Sequence, residues 1–330
     1  MAFAIYNPLE VEEWDHYLTG TDPSLFFCTS VWAHILVGAY HYEPAYFALI
    51  DGDKFETLLP VMQIDSVLTG KRGVSLPFTD CCTPIARTDN QLRELVRTTL
   101  DHAIQQGWQS VEFRSARPLP VDTVPTKRFL RHTLSLERSF EDLKRVIRAS
   151  SLRNAKRAVD AGIHVSRACT VPAMRDFYKL MCMTRKRHGL PPQPWYFFEA
   201  VCRKALQTNY GNLFMGYHAG KPVAGAVFLH FRKSVLYKFG ASDDRFHHLR
   251  ANNHVMWTAI QHYFQSGRAM IDFGRTEFGH RGLRQYKRGW GAQEMPLYYY
   301  RYDVRRRAFL KERKAEACLL YTSPSPRDQL

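Results

Sequence analysis

The second half of the chain carries the pattern that most restricts the fold. Three predicted strands at 213–219, 223–232 and 235–241 are separated by turns short enough for hairpins. A helix over 252–266 and a strand at 270–273 follow them. An antiparallel meander followed by a helix and a further strand is typical of α+β domains. The pattern therefore predicts a mixed, mostly antiparallel sheet flanked by helices.

The first half repeats this mixture of elements. Strands at 45–50 and 55–64 are joined by an Asp-Gly-Asp turn, and a helix over 89–106 ends at a glycine. The similar logic of the two halves indicates a structural duplication. We predict an N-terminal subdomain at 1–138 and a C-terminal subdomain at 139–317.

Composition favours a globular protein with an anionic partner. The 330 residues are 45% hydrophobic, and no apolar run approaches the length of a membrane span. The start of the chain lacks the features of a signal peptide, so we predict a cytoplasmic location. The net charge of +15 implies a nucleic acid, a phosphorylated or nucleotide-linked substrate, or the inner membrane surface as partner, unless the protein is merely basic.

The segment from Cys318 to the end has a different origin. Its residues CLLYTSPSPRD back-translate to a sequence similar to the transposase adaptor of sequencing libraries. We interpret residues 318–330 as read-through from such an adaptor rather than as native sequence, and exclude them from fold reasoning.

Metal and covalent chemistry find no support in the sequence. The six cysteines before the tail show no zinc-binding spacing, and the fourteen histidines form no metal motif. The chain also lacks the Gly-rich turn that exposes a nucleophilic serine. We therefore predict neither a metal site nor a covalent enzyme intermediate.

The segment with the most potential chemistry begins at Asp272. Residues 272–276 (DFGRT) predict a buried strand and a polar turn, and residues 282–292 (GLRQYKRGWGA) predict a basic helix with a glycine-broken end. A fixed cation such as Lys287 can stabilise the oxyanion of acyl transfer, and Arg284 on the same helix can bind phosphate. The alternative is a solvated basic helix face.

Further charged residues have two interpretations each. Asp272 can accept a proton from an amine, or it can form a salt bridge to Arg275 or Lys238. Lys238 alternates with aromatic neighbours, so it lines a cleft or faces solvent, and Arg275 is a candidate phosphate ligand. Asp80 lies in a loop with two prolines, where it binds an acceptor amine or serves the turn.

The loop before the helix at 252–266 is a candidate anion site. It contains Arg250, and the helix begins at Asn252 or Asn253. Free N–H groups at a helix N-terminus, together with an arginine, bind phosphate well. The alternative is that the two asparagines only cap the helix.

Several segments, taken in order, match one known family. Their order and spacing resemble the FemAB-related branch of the GNAT acyltransferase superfamily, with its BioF2-like acetyltransferase domain. The resemblance is closest to FemAB-like proteins of bacterial exosortase and exopolysaccharide systems. The matching segments are 76–80, 152–157, 187–195, 237–242, 248–253, 272–276 and 282–292.

The resemblance implies two tandem GNAT-like subdomains and transfer of an acyl or aminoacyl group to an amine. In the family, a lysine after an aromatic residue is placed to stabilise the reacting carbonyl, and Tyr286 and Lys287 match this pair. The implied donor is acyl-CoA or aminoacyl-tRNA, with no permanently bound cofactor. The implied acceptor is a small-molecule or lipid-linked precursor of the cell envelope or of an exopolysaccharide.

Two functional hypotheses result. The first is an acyl- or aminoacyltransferase in which Lys287 stabilises the oxyanion while Arg250 and Arg284 hold phosphates. Its further partners would be tRNA and the inner membrane surface, with no DNA. The alternative is a non-catalytic RNA- or anionic-glycan-binding protein that uses its basic helices at 144–157 and 281–288.

Overall fold

The structure is a computed structural model that describes residues 3–20, 22–67 and 69–311. The interpretation of residues 318–330 as adaptor sequence lies outside the described residues, as does the end of the predicted C-terminal subdomain. In chain order, the strands of the described residues are β1 (Ala4–Tyr6), β2 (Glu43–Asp51), β3 (Lys54–Ile64), β4 (Arg72–Val74), β5 (Ser110–Ser115), β6 (Lys127–Ser135), β7 (Ile163–Ala168), β8 (Gly211–His218), β9 (Lys221–Phe231), β10 (Ser234–Ser242), β11 (Met270–Thr276), β12 (Gln293–Asp303) and β13 (Ala308–Phe309).

Helices alternate with these strands along the chain. Single turns of 3₁₀ helix occur at Trp14–His16 and Asp244–Leu249, and a π turn at Cys202–Leu206 continues one helix. The α-helices of the same described residues are α1 (Leu25–Cys28), α2 (Ser30–Tyr40), α3 (Asp89–Gln105), α4 (Phe140–Val146), α5 (Ala149–Asp160), α6 (Val171–Arg187), α7 (Trp195–Val201), α8 (Ala251–Gln265) and α9 (Arg281–Gly289). None of these helices is both long and apolar enough to cross a membrane.

Packing contacts divide the described residues into two units, one of residues 3–130 with 296–311 and the other of residues 131–295. This division differs from the predicted boundary at 138 and 139. The difference arises because β12 pairs with β5, so the end of the described chain returns to the first unit. The predicted α+β class is confirmed, since each unit combines a mixed sheet with helices.

The first unit has the strand order β1-β2-β3-β4-β5-β12, with β13 on β12. Its long hairpin β2–β3 is antiparallel, whereas β4 and β5 are parallel because α3 crosses between them. Leu92, Leu95 and Val96 of α3 are buried against the sheet, which places them on one helix face. Thr88 caps α3 in a capping box with Gln91, so the first amides of this helix are satisfied by side chains.

The second unit has the strand order β6-β11-β10-β9-β8-β7, in which residues 131–135 of β6 take part. Strands β7 to β10 form an antiparallel meander, and β10 and β11 are parallel because α8 crosses between them. Buried residues of α8, among them Met256 and Ile260, share a core with Val235 and Phe228 of the sheet. Helix α6 packs against β9 and β10.

Candidate active site

The parallel strands β10 and β11 separate soon after they meet. Their pairing covers Ser234 to Leu236 on one strand and Met270 to Asp272 on the other. Both strands continue beyond this point, β10 to Ser242 in register with β9, and β11 to Thr276. Strands that part in this way open a cleft at their carboxyl ends, where ligands of α/β sheets commonly bind.

A bulge at Lys238 shapes the β10 side of this cleft. Tyr237 pairs with Phe228 and Phe239 pairs with Val227, so Lys238 is the extra residue. The sequence-based expectation that Tyr237 and Phe239 share a face is therefore wrong. Tyr237 lies in the core formed with α8, whereas the Phe239 ring packs 5.1 Å from the ring of Phe198.

The bulge also buries Lys238 and makes glycine necessary two positions later. Lys238 is only 3% exposed, and its Nζ lies 5.2 Å from the centre of the Phe239 ring, so it does not face solvent. A Cβ atom at Gly240 would lie 1.8 Å from the hydroxyl of Tyr237. The Tyr237 ring lies 6.2 Å from that of Phe273, which connects the two separated strands.

Lys287 lies at the opposite wall, at the end of β11. Its side chain is fully buried, and its Nζ donates hydrogen bonds to the carbonyls of Gly274 (3.2 Å) and Arg275 (2.7 Å) and to Thr276 Oγ1 (2.7 Å). An ammonium has three N–H donors, which match these three acceptors. The burial follows from α9, where Leu283 and Lys287 share the face turned to the sheet.

Asp272 forms a buried ion pair that sequence reasoning did not foresee. Its Oδ2 accepts from Arg131 Nε at 3.0 Å, and both side chains are 3% exposed. Its Oδ1 accepts from the backbone N–H of Gly274 at 2.6 Å. The alternative partners that we considered for Asp272, Arg275 and Lys238, are replaced by Arg131 on β6. This carboxylate therefore anchors the end of β11 as well as facing the candidate site.

A second polar group surrounds His132, the residue after Arg131 on β6. The His132 side chain is fully buried, with Nε2 3.2 Å from Glu294 Oε1 and Nδ1 3.4 Å from Thr276 Oγ1. Burial, and then the charge of Lys287, lower the pKa of His132 to about 4. The imidazole is consequently neutral at pH 7.

Glu294 is held on its other side by Arg284. Arg284 donates from Nε to Oε1 at 3.0 Å and from Nη2 to Oε2 at 2.9 Å, and a third bond runs from Nη1 to the carbonyl of Phe278. Hydrogen bonds from Arg284, and then from His132, lower the pKa of Glu294 to about 2. The predicted phosphate ligand Arg284 thus has a carboxylate partner within the protein.

Gly274 explains how neighbouring residues of β6 reach two separate groups. Arg131 and His132 are adjacent and would face opposite sides of a regular strand, whereas Asp272 and Thr276 would face the same side. Gly274 lies between the latter two with φ of 73°, a left-handed conformation that favours glycine. This break in alternation allows Asp272 to meet Arg131 while Thr276 meets His132.

The remaining predicted residues of α9 and β11 are placed as follows. Tyr286, the predicted partner of Lys287, is partly buried against the hydrophobic core of the second unit, and burial raises its pKa to about 12. It follows Lys287 around the helix rather than joining the Lys287 hydrogen bonds. Arg275 is 8% exposed, and its backbone carbonyl is one of the acceptors of Lys287.

The N-terminus of α8 lies beside the end of β10. Asn252 donates from Nδ2 to Ser242 Oγ at 3.1 Å, so this asparagine ties the helix to the strand. The helix begins at Ala251, and its N-cap position is Arg250, which has φ of 58° and provides no side-chain cap. The alternative that Asn252 or Asn253 caps the helix is therefore wrong. An uncapped N-terminus leaves backbone donors available to an anion.

Basic side chains surround this helix end. Arg250 is exposed, and Arg187 at the end of α6 lies 3.5 Å from His247 Nε2 through its Nη1. Burial, and then the charge of Arg187, lower the pKa of His247. Arg245 differs from these residues because its guanidinium is paired with Asp243 at 2.6 Å. The end of β10 and the start of α8 thus form a positively charged edge.

Asp80 belongs to the first unit. It is 6% exposed, and its backbone carbonyl accepts a hydrogen bond from the hydroxyl of Tyr299 at 2.6 Å. Its loop is further held by Arg114, whose Nη1 donates to the carbonyl of Thr79 at 2.5 Å. These contacts assign Asp80 a place in a tightly bonded loop. Its role as a ligand for an acceptor amine stays a prediction.

Sequence reasoning missed four members of the candidate site: Arg131, His132, Thr276 and Glu294. Two of them carried a signal, because Arg131 and His132 stand side by side within an apolar strand. Charged pairs at such positions are buried only when they are matched. Within the described ranges, no group of three or more His, Cys, Asp or Glu residues could hold a metal ion.

Comparisons with known proteins agree with this geometry. Residues 134–288 match the family model Acetyltransf_6, the acetyltransferase (GNAT) domain. FemX is similar in structure, with a TM-score of 0.68, 12% identity, and coverage of 90% of this chain and 96% of FemX. L-PGS from Bacillus licheniformis has a TM-score of 0.53 at 12% identity, covering 86% of this chain and 92% of its own. The sequence gives no significant match among curated proteins.

A third solved structure bears on the duplication. A tandem GNAT protein from the clavulanic acid biosynthesis pathway has a TM-score of 0.53 at 8% identity, covering 92% of this chain and 98% of its own. The fold is therefore a pair of tandem GNAT-like subdomains, as predicted. The chain belongs to the GNAT acyltransferase superfamily, and its resemblance to the FemAB-related branch is confirmed at the level of the fold.

Proposed function

We propose that this protein is an N-acyltransferase that passes an acyl group to an amine of a cell-envelope or exopolysaccharide precursor. The observation that carries the proposal is the separation of β10 and β11, with the buried Lys287 ammonium on the β11 wall. The GNAT domain match over 134–288 covers both walls. Acyl-CoA is the donor that we infer, because GNAT domains generally use it.

The donor would enter along the positively charged edge. The uncapped N-terminus of α8 and the exposed Arg250 suit the phosphates of a nucleotide-linked thioester. The carboxyl ends of parallel strands lie at one edge of a sheet, so the thioester would then extend between β10 and β11. Arg284 takes no part in phosphate binding in this proposal, since Glu294 already engages it.

The acceptor amine would attack the thioester carbonyl directly. A C–N bond forms as the carbonyl oxygen becomes an oxyanion, and the C–S bond then breaks as the CoA thiolate leaves and takes up the proton released by the amine. Lys287 would stabilise the oxyanion by exchanging its longest hydrogen bond, 3.2 Å to the Gly274 carbonyl, for one to the substrate. Asp272, paired with Arg131, would hold the end of β11 in place.

Direct transfer is tested by supplying donors and amines to the purified protein. Acetyl-CoA, longer acyl-CoA and aminoacyl-tRNA are incubated separately with amino-sugar and peptide-amine acceptors, and mass spectrometry detects the acylated product. We expect amide formation with stoichiometric release of CoA thiol. Product from aminoacyl-tRNA alone would replace the inferred donor, and no product from any donor would contradict the proposal.

The alternative, a non-catalytic binder of RNA or anionic glycan, uses the exposed parts of the basic helices. Arg153 and Arg157 of α5 and Arg281 and Arg288 of α9 are exposed. Lys287, by contrast, is buried and contributes nothing to such a surface. Salt-dependent RNA binding without turnover of any acyl donor would favour this function over transfer.

A further inference from the structure

We propose that His132 is a positioning residue for acyl transfer, whose imidazole orients the Thr276 hydroxyl that in turn holds the Lys287 ammonium. This inference rests on the proposed function, because it assumes that Lys287 acts on the reacting carbonyl. His132 acts through Thr276 and needs no contact with substrate.

The contacts form a continuous chain from β12 to α9. Glu294 Oε1 lies 3.2 Å from His132 Nε2, and His132 Nδ1 lies 3.4 Å from Thr276 Oγ1. Thr276 Oγ1 accepts a hydrogen bond from Lys287 Nζ at 2.7 Å. His132, Thr276 and Lys287 are each fully buried, so water does not compete for these bonds.

The chemistry of the four groups sets the direction of the chain. Glu294 is a carboxylate that receives two hydrogen bonds from Arg284, so it can only accept, and His132 must present its Nε2–H to it. A neutral imidazole has one N–H, which leaves Nδ1 as an acceptor. The Thr276 hydroxyl then donates to Nδ1, and its oxygen keeps its lone pairs for the ammonium of Lys287.

This arrangement gives Lys287 a defined position at the cleft wall. Without His132, the Thr276 hydroxyl is free to rotate and to turn its proton towards the ammonium, which weakens that bond. The ammonium would then shift among its two carbonyl acceptors, Gly274 and Arg275. Small displacements of a reacting group lower the rate of transfer strongly, whereas donor binding elsewhere along the cleft is unaffected.

The experiment compares His132→Leu, His132→Gln and the matched control His230→Leu in the transfer assay. His230 is also a buried histidine of the second unit, bonded to the Asn209 carbonyl at 2.8 Å and near the Tyr263 hydroxyl at 3.4 Å. We expect His132→Leu to lower kcat by about 10- to 100-fold with the donor KM unchanged. His132→Gln, which restores an amide donor and acceptor, should recover part of the rate, and His230→Leu should keep wild-type kcat in its folded fraction.

A double-mutant cycle separates this inference from the proposed function. Lys287→Met alone should remove most activity, and adding His132→Leu should lower it no further, because both changes act on one ammonium. An inactive Lys287→Met protein beside a fully active His132→Leu protein overturns the role of His132 alone. Full activity of Lys287→Met overturns the assignment of Lys287 and with it both proposals.

A spectroscopic measurement remains informative if a variant folds poorly. The ring nitrogen resonances of His132 in the wild-type protein report its tautomer, and we expect the neutral form with the proton on Nε2. A proton on Nδ1, or a charged ring at pH 7, would reverse the direction of the chain and overturn the inference.

Discussion

Each unit contains a strand, a crossing helix and a parallel strand, and the two units treat the gap beyond that pair differently. In the first unit, β4 ends at Val74, and the following loop bonds along β5 through Ser75 N to Glu112 O (2.8 Å) and Cys82 N to Arg114 O (2.9 Å). In the second unit, both β10 and β11 continue as strands after their pairing ends. One gap is closed by its own loop, and the other stays a cleft.

The crossing helices show the same contrast. The N-terminus of α3 is satisfied by Thr88 and Gln91 in a capping box, whereas α8 starts after Arg250 without a side-chain cap. A capped helix end has little left to offer an anion, and an uncapped one beside an arginine has free donors. The comparison teaches that a duplicated framework can keep its fold in both copies and retain a candidate ligand site in one.

The largest effect should follow Lys287→Met, which keeps the length of the side chain and removes the ammonium. We expect kcat to fall by about 100- to 1,000-fold because the oxyanion loses its cation. The melting temperature should also fall, since buried acceptors at Gly274 and Thr276 lose their donor. Steady-state kinetics and circular dichroism measure both effects.

The control for that change is Lys156→Met on α5, where the side chain is 78% exposed and pairs only with Asp160. This variant should match wild type in rate and stability, because exposed ion pairs contribute little. Lys287→Ala is a poorer choice than methionine, since it adds a cavity to the lost hydrogen bonds. Wild-type kcat in Lys287→Met would break the assignment of the cleft.

Acid should destabilise the second unit through His132. Its pKa of about 4 in the folded protein is below the ordinary value of 6.5, so between these values the unfolded chain binds a proton that the folded protein does not. Stability therefore falls as pH decreases from about 6.5 to about 4, by up to about 3 kcal/mol. Denaturant unfolding at several pH values should show a flatter profile for His132→Leu.

The same window provides a check on that prediction. Burial also lowers the pKa of His230 to about 4, so His230→Leu should flatten the stability profile as well. Only the His132 variant should change the rate of transfer. Equal pH dependence in wild type and His132→Leu would show that this histidine is not buried in its neutral form.

A smaller effect should follow Arg250→Ala at the start of α8. We expect the KM for acyl-CoA to rise about tenfold, as a charged hydrogen bond to phosphate is lost, with kcat nearly unchanged. Arg245→Ala is the matched control, because that guanidinium is already paired with Asp243. The rise in KM should shrink at high salt. An unchanged KM in both variants would argue against a donor site at α8.

The smallest effect should follow Thr88→Ala in the first unit. Loss of this cap should reduce stability by about 1 kcal/mol, seen as a lower melting temperature. The KM for the donor should not change, because α3 is expected to bind no anion. A change in donor KM as large as that of Arg250→Ala would mean that both units take part in donor binding.

Much of the element order could be predicted from local patterns. The strand at 163–168 and the helix beginning at Val171 agree with prediction, because period and capping are encoded by adjacent residues. The strands β1 and β4 were missed, since three residues carry too little periodicity to identify a strand. The bulge at Lys238 also has no local signature, because it is defined by pairing with β9.

The sequence by itself determined the family, the α+β class and the importance of the segment around Lys287, because these follow from order, spacing and residue type. Only the tertiary structure decided the partners. Arg131 and Glu294 are far from Asp272 and Arg284 in the sequence or on different elements, and strand pairing brings their charges together. Burial then makes those contacts matter, since a buried charge must find a partner that no local pattern reveals.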